Sequence, residues 1–147
     1  MQTSKKGIEF IVKEEGLVLS SYLCPAGVLT IGVGHTGKDV KKGMTITKEK
    51  ALELLENDLQ KFENAVNKYV ITDLKQHEFD ALVSFAFNVG TQAFKNSTLL
   101  KRINNNEDTE SIKREFYKWK YGGGKVLPVL VARRKREYLL FKEGIYE

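Results

Sequence analysis

The first segment of the chain, from Ser4 to Glu15, alternates polar and apolar residues with a helical period. Its apolar residues stand at positions i, i+3 and i+4, which places them on one face of an α-helix: Ile8, Ile11 and Val12. Gly16 follows directly, and glycine is favoured just beyond the last turn of a helix. The pattern therefore predicts a short amphipathic helix that ends at Glu15.

The pattern changes from Leu17 to about Thr45, where β-branched and aromatic residues alternate with glycines and Pro25 interrupts any helix. Short strands joined by turns are predicted there. Helical periodicity returns after Thr47, a typical N-cap residue, and continues to Tyr69. One face of this long helix is apolar and consists of Ala51, Leu52, Leu55, Leu59, Phe62, Val66 and Tyr69.

The next segment is so apolar from Phe79 to Val89 that it predicts a buried central helix, opened by Thr72 or Asp73 and closed by Gly90. The remaining predicted elements are helices at Ser97–Asn104 and Thr109–Lys120, a loop at "YGGGKVLP", and a last helix from Pro128 through Phe141.

These elements predict an α+β fold in a single domain, residues 1–147. A small β-rich lobe takes up about residues 16–46, and a linking helix takes up about residues 47–69. The larger helical lobe consists of about residues 70–147 together with the N-terminal helix. Because two lobes leave a cleft between them, we expect a ligand site at that cleft.

Composition excludes several classes of protein. No apolar run approaches the roughly 20 residues that a membrane-spanning helix needs, and the N-terminus is too charged for a signal peptide. A single cysteine forms no internal disulfide. Residues 1–94 carry 11 Lys/Arg and 12 Asp/Glu, a net charge of −1, whereas residues 95–147 carry 13 and 7, a net charge of +6. A basic C-terminal half favours a polyanionic partner or is simply a solvated surface.

Three other kinds of chemistry have weak signals. Gly32, Gly34 and Gly37 match GxGxxG, but no amphipathic helix follows, so a dinucleotide site is disfavoured and no cofactor is expected. The only cysteine and the two histidines, His35 and His77, lack ligand-like spacing, so no metal site is expected. A hydrolase that uses Cys24 with one of these histidines stays open as an alternative.

Glu15 is the better candidate for catalysis. It is predicted to be the last residue of its helix, directly before the β-rich segment, which directs it toward the cleft. The negative end of a helix dipole and partial burial both favour a protonated carboxyl group. A general acid must hold its proton near neutral pH. The alternative is a solvated glutamate within the charged "KEE" run.

The spacing Glu15-x8-Cys24-x5-Thr30, followed by "IGVGHTG", closely resembles the phage-type lysozymes, the endolysins of glycoside hydrolase family 24. The likeness continues in "ALVSFAFNVG", "AFKNSTLLKRIN" and "LPVLVARRKREYLLF", and so covers nearly the whole chain in order. The resemblance implies a lysozyme-like fold. It also implies hydrolysis of the β-1,4 bond between N-acetylmuramic acid and N-acetylglucosamine in bacterial peptidoglycan.

The resemblance implies a role for each matching residue. Glu15 corresponds to the general acid, Cys24 to a second catalytic position where many relatives carry Asp, and Thr30 to the partner that helps place the attacking water. Three roles are open to Cys24: a partly ionised base, an aid to Thr30, or a nucleophile. An unperturbed thiol has a pKa of about 8.5, so it would be mostly neutral at pH 7.

Four further residues are implied as supporting groups. Asn88 corresponds to a polar residue that lines the sugar cleft. His35 corresponds to a structural histidine that pairs with Asp58 on the long helix. Arg133 corresponds to an arginine that forms an ion pair with the catalytic glutamate, which would orient the glutamate while opposing the rise in its pKa.

The resemblance also implies a setting: a monomer held in the host cytoplasm until a holin-type pore releases it to the periplasm or cell wall. Anionic wall polymers would then attract the basic half. Nucleic acid and stable membrane insertion are not expected. A lytic transglycosylase, which forms an anhydro sugar, and a non-catalytic wall-binding module are the alternatives.

Overall fold

In the computed structural model, which describes all 147 residues, the chain folds into seven helices and five short strands. In chain order these are α1 Lys5–Glu15, β1 Val18–Leu23, β2 Leu29–Gly32, β3 His35–Thr36, α2 Lys48–Tyr69, α3 Gln76–Val89, α4 Thr91–Lys95, α5 Thr98–Asn104, α6 Thr109–Tyr117, β4 Tyr121–Gly122, β5 Lys125–Val126 and α7 Pro128–Glu143. The mainly helical chain with a small antiparallel sheet confirms the predicted α+β class.

The helices begin and end largely where local chemistry predicts. The Thr47 hydroxyl accepts a hydrogen bond from the Lys50 amide and caps α2. Gly16, with φ +80°, terminates α1 and donates its amide to the Val12 carbonyl. Glu15 is therefore the last residue of α1, as predicted.

Two local predictions are wrong. α3 begins after Lys75 rather than near residue 72, because the Glu78 carboxylate accepts the Lys75 amide and supplies the cap from within the helix. The segment predicted as a loop contains a hairpin, in which β4 and β5 pair antiparallel. Its turn residues, Gly123 and Gly124, have φ of +58° and +78°, and tight two-residue hairpin turns require such positive values.

A three-stranded antiparallel sheet, in the order β1-β2-β3, forms the β-rich lobe and lies against α2. A small core joins the sheet to the helix and consists of three buried residues, Ile31, Val40 and Leu54. Few apolar side chains therefore stabilise this lobe from within.

The helical lobe has a much larger core of 24 buried residues, with α3 at its centre. α1, α2, α4 and α7 all pack against α3, so this helix is apolar on nearly every side, as predicted. Within this core the Phe85 ring makes edge contacts with Phe94, Phe116 and Trp119. No helix of this structure combines the length and the apolar character needed to cross a membrane.

Candidate active site

Glu15 lies at the C-terminal end of α1, where the chain leaves the helical lobe and enters β1. Its side chain is 22% exposed, and Oε2 lies 2.5 Å from Nη1 of Arg133 on α7. A cation near a helix C-terminus also interacts favourably with the helix dipole. The carboxyl group of Glu15 is therefore fixed in direction but accessible to a ligand.

Glu15 lines a cavity of about 510 Å³, called the cleft below, to which both lobes contribute. The other lining residues are Gly34, Thr36, Asn57, Asp58, Lys61, Phe62 and Phe87. Two carboxylates and two aromatic rings thus face one open space. Such a combination suits a sugar, because aromatic faces pack on sugar rings while polar groups bind hydroxyls.

Arg133 reaches Glu15 from within the protein and is only 6% exposed. Its Nε lies 3.0 Å from Oε2 of Glu137, and its Nη2 donates to the Ser84 carbonyl oxygen at 3.2 Å. Desolvation favours the neutral form of this guanidinium, but Glu137 and Glu15 outweigh it and raise the pKa of Arg133. The arginine stays charged and is shared between two carboxylates.

Glu137 is fully buried on α7, one helical turn after Arg133. Its carboxylate accepts a hydrogen bond from the Ser84 hydroxyl at 2.6 Å and also faces Arg134 Nε at 2.9 Å. Burial raises the pKa of Glu137, while Arg134 and Arg133 oppose the rise and favour the ionised form. Glu137 is thus the buried counter-charge of both arginines.

Asn88 lies at the end of α3 and is exposed, but its Oδ1 accepts a hydrogen bond from Nη2 of buried Arg134 at 2.8 Å. It lines a second cavity of about 470 Å³ rather than the cleft. Phe87, the preceding residue, lines the cleft. The other residues around this second cavity are Val89, Lys118, Trp119, Tyr121, Leu130 and Arg134.

Cys24 lies in the tight turn between β1 and β2. Its amide donates to the Val28 carbonyl, and its carbonyl accepts from the Gly27 amide. Backbone hydrogen bonds with Val28 and Ala26 lower the pKa of Cys24 below its ordinary value. A larger fraction of Cys24 is therefore ionised to the thiolate at neutral pH than an unperturbed thiol pKa predicts.

Thr30 lies on the central strand β2 and is buried, with its hydroxyl donating to the Val28 carbonyl at 3.0 Å. It pairs across the sheet with Thr36, which lines the cleft. Side chains of directly opposed residues point to the same face of a sheet. Cys24 and Thr30 are not themselves among the residues that line the cleft around Glu15.

His35 connects the β-rich lobe to the long helix. Its Nδ1 lies 2.7 Å from Oδ2 of Asp58 on α2, and its Nε2 lies 2.9 Å from Oδ2 of Asp39. Desolvation opposes protonation, but hydrogen bonds to Asp58 and Asp39 outweigh it and raise the pKa of His35. The pair holds one wall of the cleft in place, since Asp58 itself lines it.

Sequence reasoning missed part of this site. Arg134 and Glu137 belong to the buried network but carry no role in the resemblance, and Lys61 and Phe87 line the cleft without having been singled out. One signal was present: Glu137 stands four residues after Arg133 on a helix, a spacing that brings the two side chains together.

A larger groove of about 820 Å³ lies between α1 and α2. Its lining contains none of the predicted site residues, and its apolar floor is bordered by lysines and glutamates: Lys5, Lys13, Lys48, Glu9 and Glu56. Size alone does not identify a catalytic site, and the converging polar groups lie at the cleft instead.

The chain is similar to several known proteins. The residue profile of the family described as "Phage lysozyme" matches residues 12–137. The endolysin of Salmonella phage P22 is 44% identical over 145 residues, which cover 96% of this chain and 98% of that protein. The endolysin of Bacillus phage PZA is 43% identical over 98% of this chain, which spans 56% of that longer protein.

Among solved structures, the endolysin from Escherichia coli O157:H7 phage FAHEc1 superposes with a TM-score of 0.93 at 38% identity, covering 100% of this chain and 97% of that one. Fold and site together define a lysozyme-type glycoside hydrolase. The chain belongs to the phage lysozyme family. It is a peptidoglycan-hydrolysing endolysin of the muramidase class, which confirms the predicted family, fold class and activity.

Proposed function

We propose that this endolysin adds water across the β-1,4 bond between N-acetylmuramic acid and N-acetylglucosamine, with Glu15 as the general acid. The observation that carries the proposal is the position of Glu15: it faces the interlobe cleft and is held there by buried Arg133. A fixed and accessible carboxyl group is what protonation of a leaving glycosidic oxygen requires.

In the proposed reaction, protonated Glu15 gives its proton to the O4 oxygen of N-acetylglucosamine as the bond from that oxygen to C1 of N-acetylmuramic acid breaks. Water attacks C1 and gives its proton to the Cys24 thiolate. Solvent then returns a proton from Cys24 to Glu15, so the cycle closes without a cofactor. Positive charge that develops on the sugar in the transition state is balanced by the thiolate and by Asp58 across the cleft.

The lowered pKa of Cys24 supports a base rather than an inert thiol. Thr30 assists because it pairs across the sheet with Thr36, which lines the cleft, so the two side chains face the same side of the sheet. We assign the hydroxyl the task of holding the water. A base that acts through water, rather than a carboxylate that attacks the sugar, predicts inversion at C1.

Asp58 is the other acidic group in the cleft, but its Oδ2 lies 2.7 Å from His35. We therefore assign it a structural role with His35 and not the role of base. Asn88 is assigned to substrate binding, because Arg134 occupies its Oδ1 and leaves the amide NH2 free to donate to a sugar acetamido carbonyl.

The basic C-terminal segment, residues 95–147 with a net charge of +6, is proposed to concentrate the enzyme on anionic wall polymers. Binding of this kind weakens as salt screens the charges over a Debye length of about 10 Å at 0.1 M. Release from the host cytoplasm to the wall through a holin pore completes the proposal, with the enzyme acting as a monomer.

The reaction is tested by digesting purified peptidoglycan in ¹⁸O-labelled water and analysing the fragments by mass spectrometry. We expect reducing muramic acid ends that carry one ¹⁸O atom. Anhydro-muramic ends without label would identify a transglycosylase instead. New free amino groups would identify a peptidase and return Cys24 to the role of nucleophile.

A further inference from the structure

The carboxylate of Glu137 is divided between two arginines. Its Oε2 contacts Arg133 Nε at 3.0 Å and Ser84 Oγ at 2.6 Å, while its Oε1 lies 2.9 Å from Arg134 Nε. Glu137 is completely buried, so it is inaccessible to a polysaccharide bound in the cleft. Any influence on the reaction must therefore pass through the two guanidinium groups.

Each arginine uses its other nitrogens on a residue that faces the substrate. Arg133 contacts Glu15 through Nη1, and Arg134 donates to Asn88 through Nη2. We infer that Glu137 is a positioning residue: it anchors both arginines, so that one orients the general acid and the other the substrate-binding amide, and its charge limits how strongly Arg133 favours ionised Glu15. This inference rests on the proposed role of Glu15.

The charges around Glu15 support the inference that Glu137 limits how strongly Arg133 favours ionised Glu15. From α1, Glu14 is adjacent but is engaged by Arg136 at 2.7 and 2.8 Å. From α2, Asp58 and Lys61 face Glu15 across the cleft with opposite charges. From α3, the neighbours of the network, Ser84 and Asn88, are neutral.

Within the network two guanidinium groups therefore face two carboxylates, Glu15 and Glu137. If Glu137 lost its charge, both guanidinium groups would act on Glu15 alone. An opposite charge at close range stabilises a carboxylate and promotes loss of its proton. Glu15 would then fail as an acid at a lower pH than in the wild type.

The pH dependence of kcat tests this inference, because the alkaline limb of activity reports ionisation of the general acid. In Glu137→Gln, which keeps the shape but removes the charge, we expect that limb to move to lower pH by about one unit. Above the limb, activity would fall about tenfold. If Glu137→Gln only lost packing or stability, its folded molecules would keep the alkaline limb of kcat at the wild-type pH.

Arg134→Gln provides a test in the opposite direction. It removes one positive charge and leaves Glu137 to Arg133 alone, so we expect the alkaline limb to move to higher pH. Because Asn88 loses its anchor, KM should rise while kcat at the optimum changes little. Glu137→Asp, which keeps the charge, should keep the limb near its wild-type position.

Two results would overturn the inference. One is an unchanged alkaline limb of kcat in folded Glu137→Gln. The other is a shift of that limb in the same direction in Glu137→Gln and Arg134→Gln. If Glu137→Gln does not fold, Arg134→Gln tests the inference by itself. An unchanged alkaline limb of the pH profile together with an unchanged KM in Arg134→Gln would contradict the inference. Glu15→Gln tests the proposed function separately from the inference about Glu137. If Glu15→Gln remains active, Glu15 is not the general acid, regardless of the results for the Glu137 variants.

Discussion

The two sides of the cleft are built differently. On the helical side, Glu15 is held by Arg133, which is itself buried beside Glu137 in a lobe with a core of 24 residues. On the β-rich side, Cys24 belongs to a surface turn, and only three residues form the core beneath the sheet.

In the proposed mechanism, this difference separates two catalytic tasks. Protonation of a leaving group needs a carboxyl group at a fixed position and with a controlled charge, which a buried ion network provides. Activation of water needs a group near solvent whose proton affinity can be tuned locally, and we propose that the turn at Cys24 does so, because its backbone hydrogen bonds lower the pKa of the thiol. A thiol can therefore replace a carboxylate on the β-rich side more readily than on the helical side.

The largest effect is expected from the acid itself. Glu15→Gln should reduce wall lysis by about 10² to 10⁴-fold, the usual contribution of a general acid. The adjacent Glu14→Gln is the matched control: Glu14 pairs with Arg136 and does not line the cleft, so lysis per folded molecule should stay within about threefold of wild type, although loss of this pair, in which the Glu14 side chain is 5% exposed, lowers stability. Turbidity clearing measures both variants, and circular dichroism checks that both are folded. Equal activity of Glu15→Gln and Glu14→Gln would remove Glu15 from the mechanism.

Removal of the same side-chain volume should lower the free energy of unfolding by different amounts in the two cores. Ile11 lies in the large core and Ile31 in the small one, and both are fully buried. Truncation of a buried isoleucine to alanine costs about 2–5 kcal/mol of unfolding free energy, depending on how far the site collapses. We expect Ile11→Ala near the upper end and Ile31→Ala near the lower end, measured by urea denaturation. A reversed order would show that the β-rich lobe is the more rigidly packed side.

The group that activates water should be more replaceable than the acid. Cys24→Ala is expected to lose about 10- to 100-fold in activity, while Cys24→Asp retains most of it because a carboxylate also accepts a proton. Alkylation of the wild-type thiol should inhibit, with inhibition faster as pH rises, because the thiolate is the reactive form. Asp58→Asn is the control for the second carboxylate of the cleft. A harmless Cys24→Ala combined with an inactive Asp58→Asn would place the base at Asp58.

The smallest effect concerns stability against pH on the β-rich side. The pKa of His35 is raised on folding, so the protonated ring contributes stability that is complete below its ordinary value of about 6.5 and is lost as pH rises through the folded value. Because the partner carboxylates Asp39 and Asp58 are 57% and 30% exposed, solvent screens these pairs and the contribution should be below about 1 kcal/mol. Urea denaturation at pH 5.5 and 8.5 should show this difference in wild type and not in His35→Asn. An equal pH dependence in both would assign it to other groups.

Much of the fold follows from local rules. The cap at Thr47, the end of α1 at Gly16 and the buried character of α3 are each encoded by a few adjacent residues. The start of α3 and the hairpin at residues 121–126 were mispredicted. In the first case Glu78 caps the helix from within, and in the second a Gly-Gly turn was interpreted as a loop.

The candidate site was less predictable because its contacts cross large sequence distances. Glu15 and Arg133 are separated by 118 positions, and spacing alone does not pair them; only the resemblance to a family does. Glu137 shares a helical face with Arg133, a local signal, but its full burial depends on how α3 packs against α7. The lowered pKa of Cys24 depends on turn hydrogen bonds that a sequence does not display.

In the proposed mechanism, the acid acts from the helical side while water enters from the β-rich side, on opposite faces of the sugar. The anomeric configuration of the newly formed muramic acid end tests it most directly. We expect ¹H NMR of a soluble peptidoglycan fragment, recorded before mutarotation equilibrates the anomers, to show the α anomer first, as inversion of a β bond requires. First appearance of the β anomer would mean retention, with Cys24 or Asp58 attached to the sugar as an intermediate, and would contradict the account.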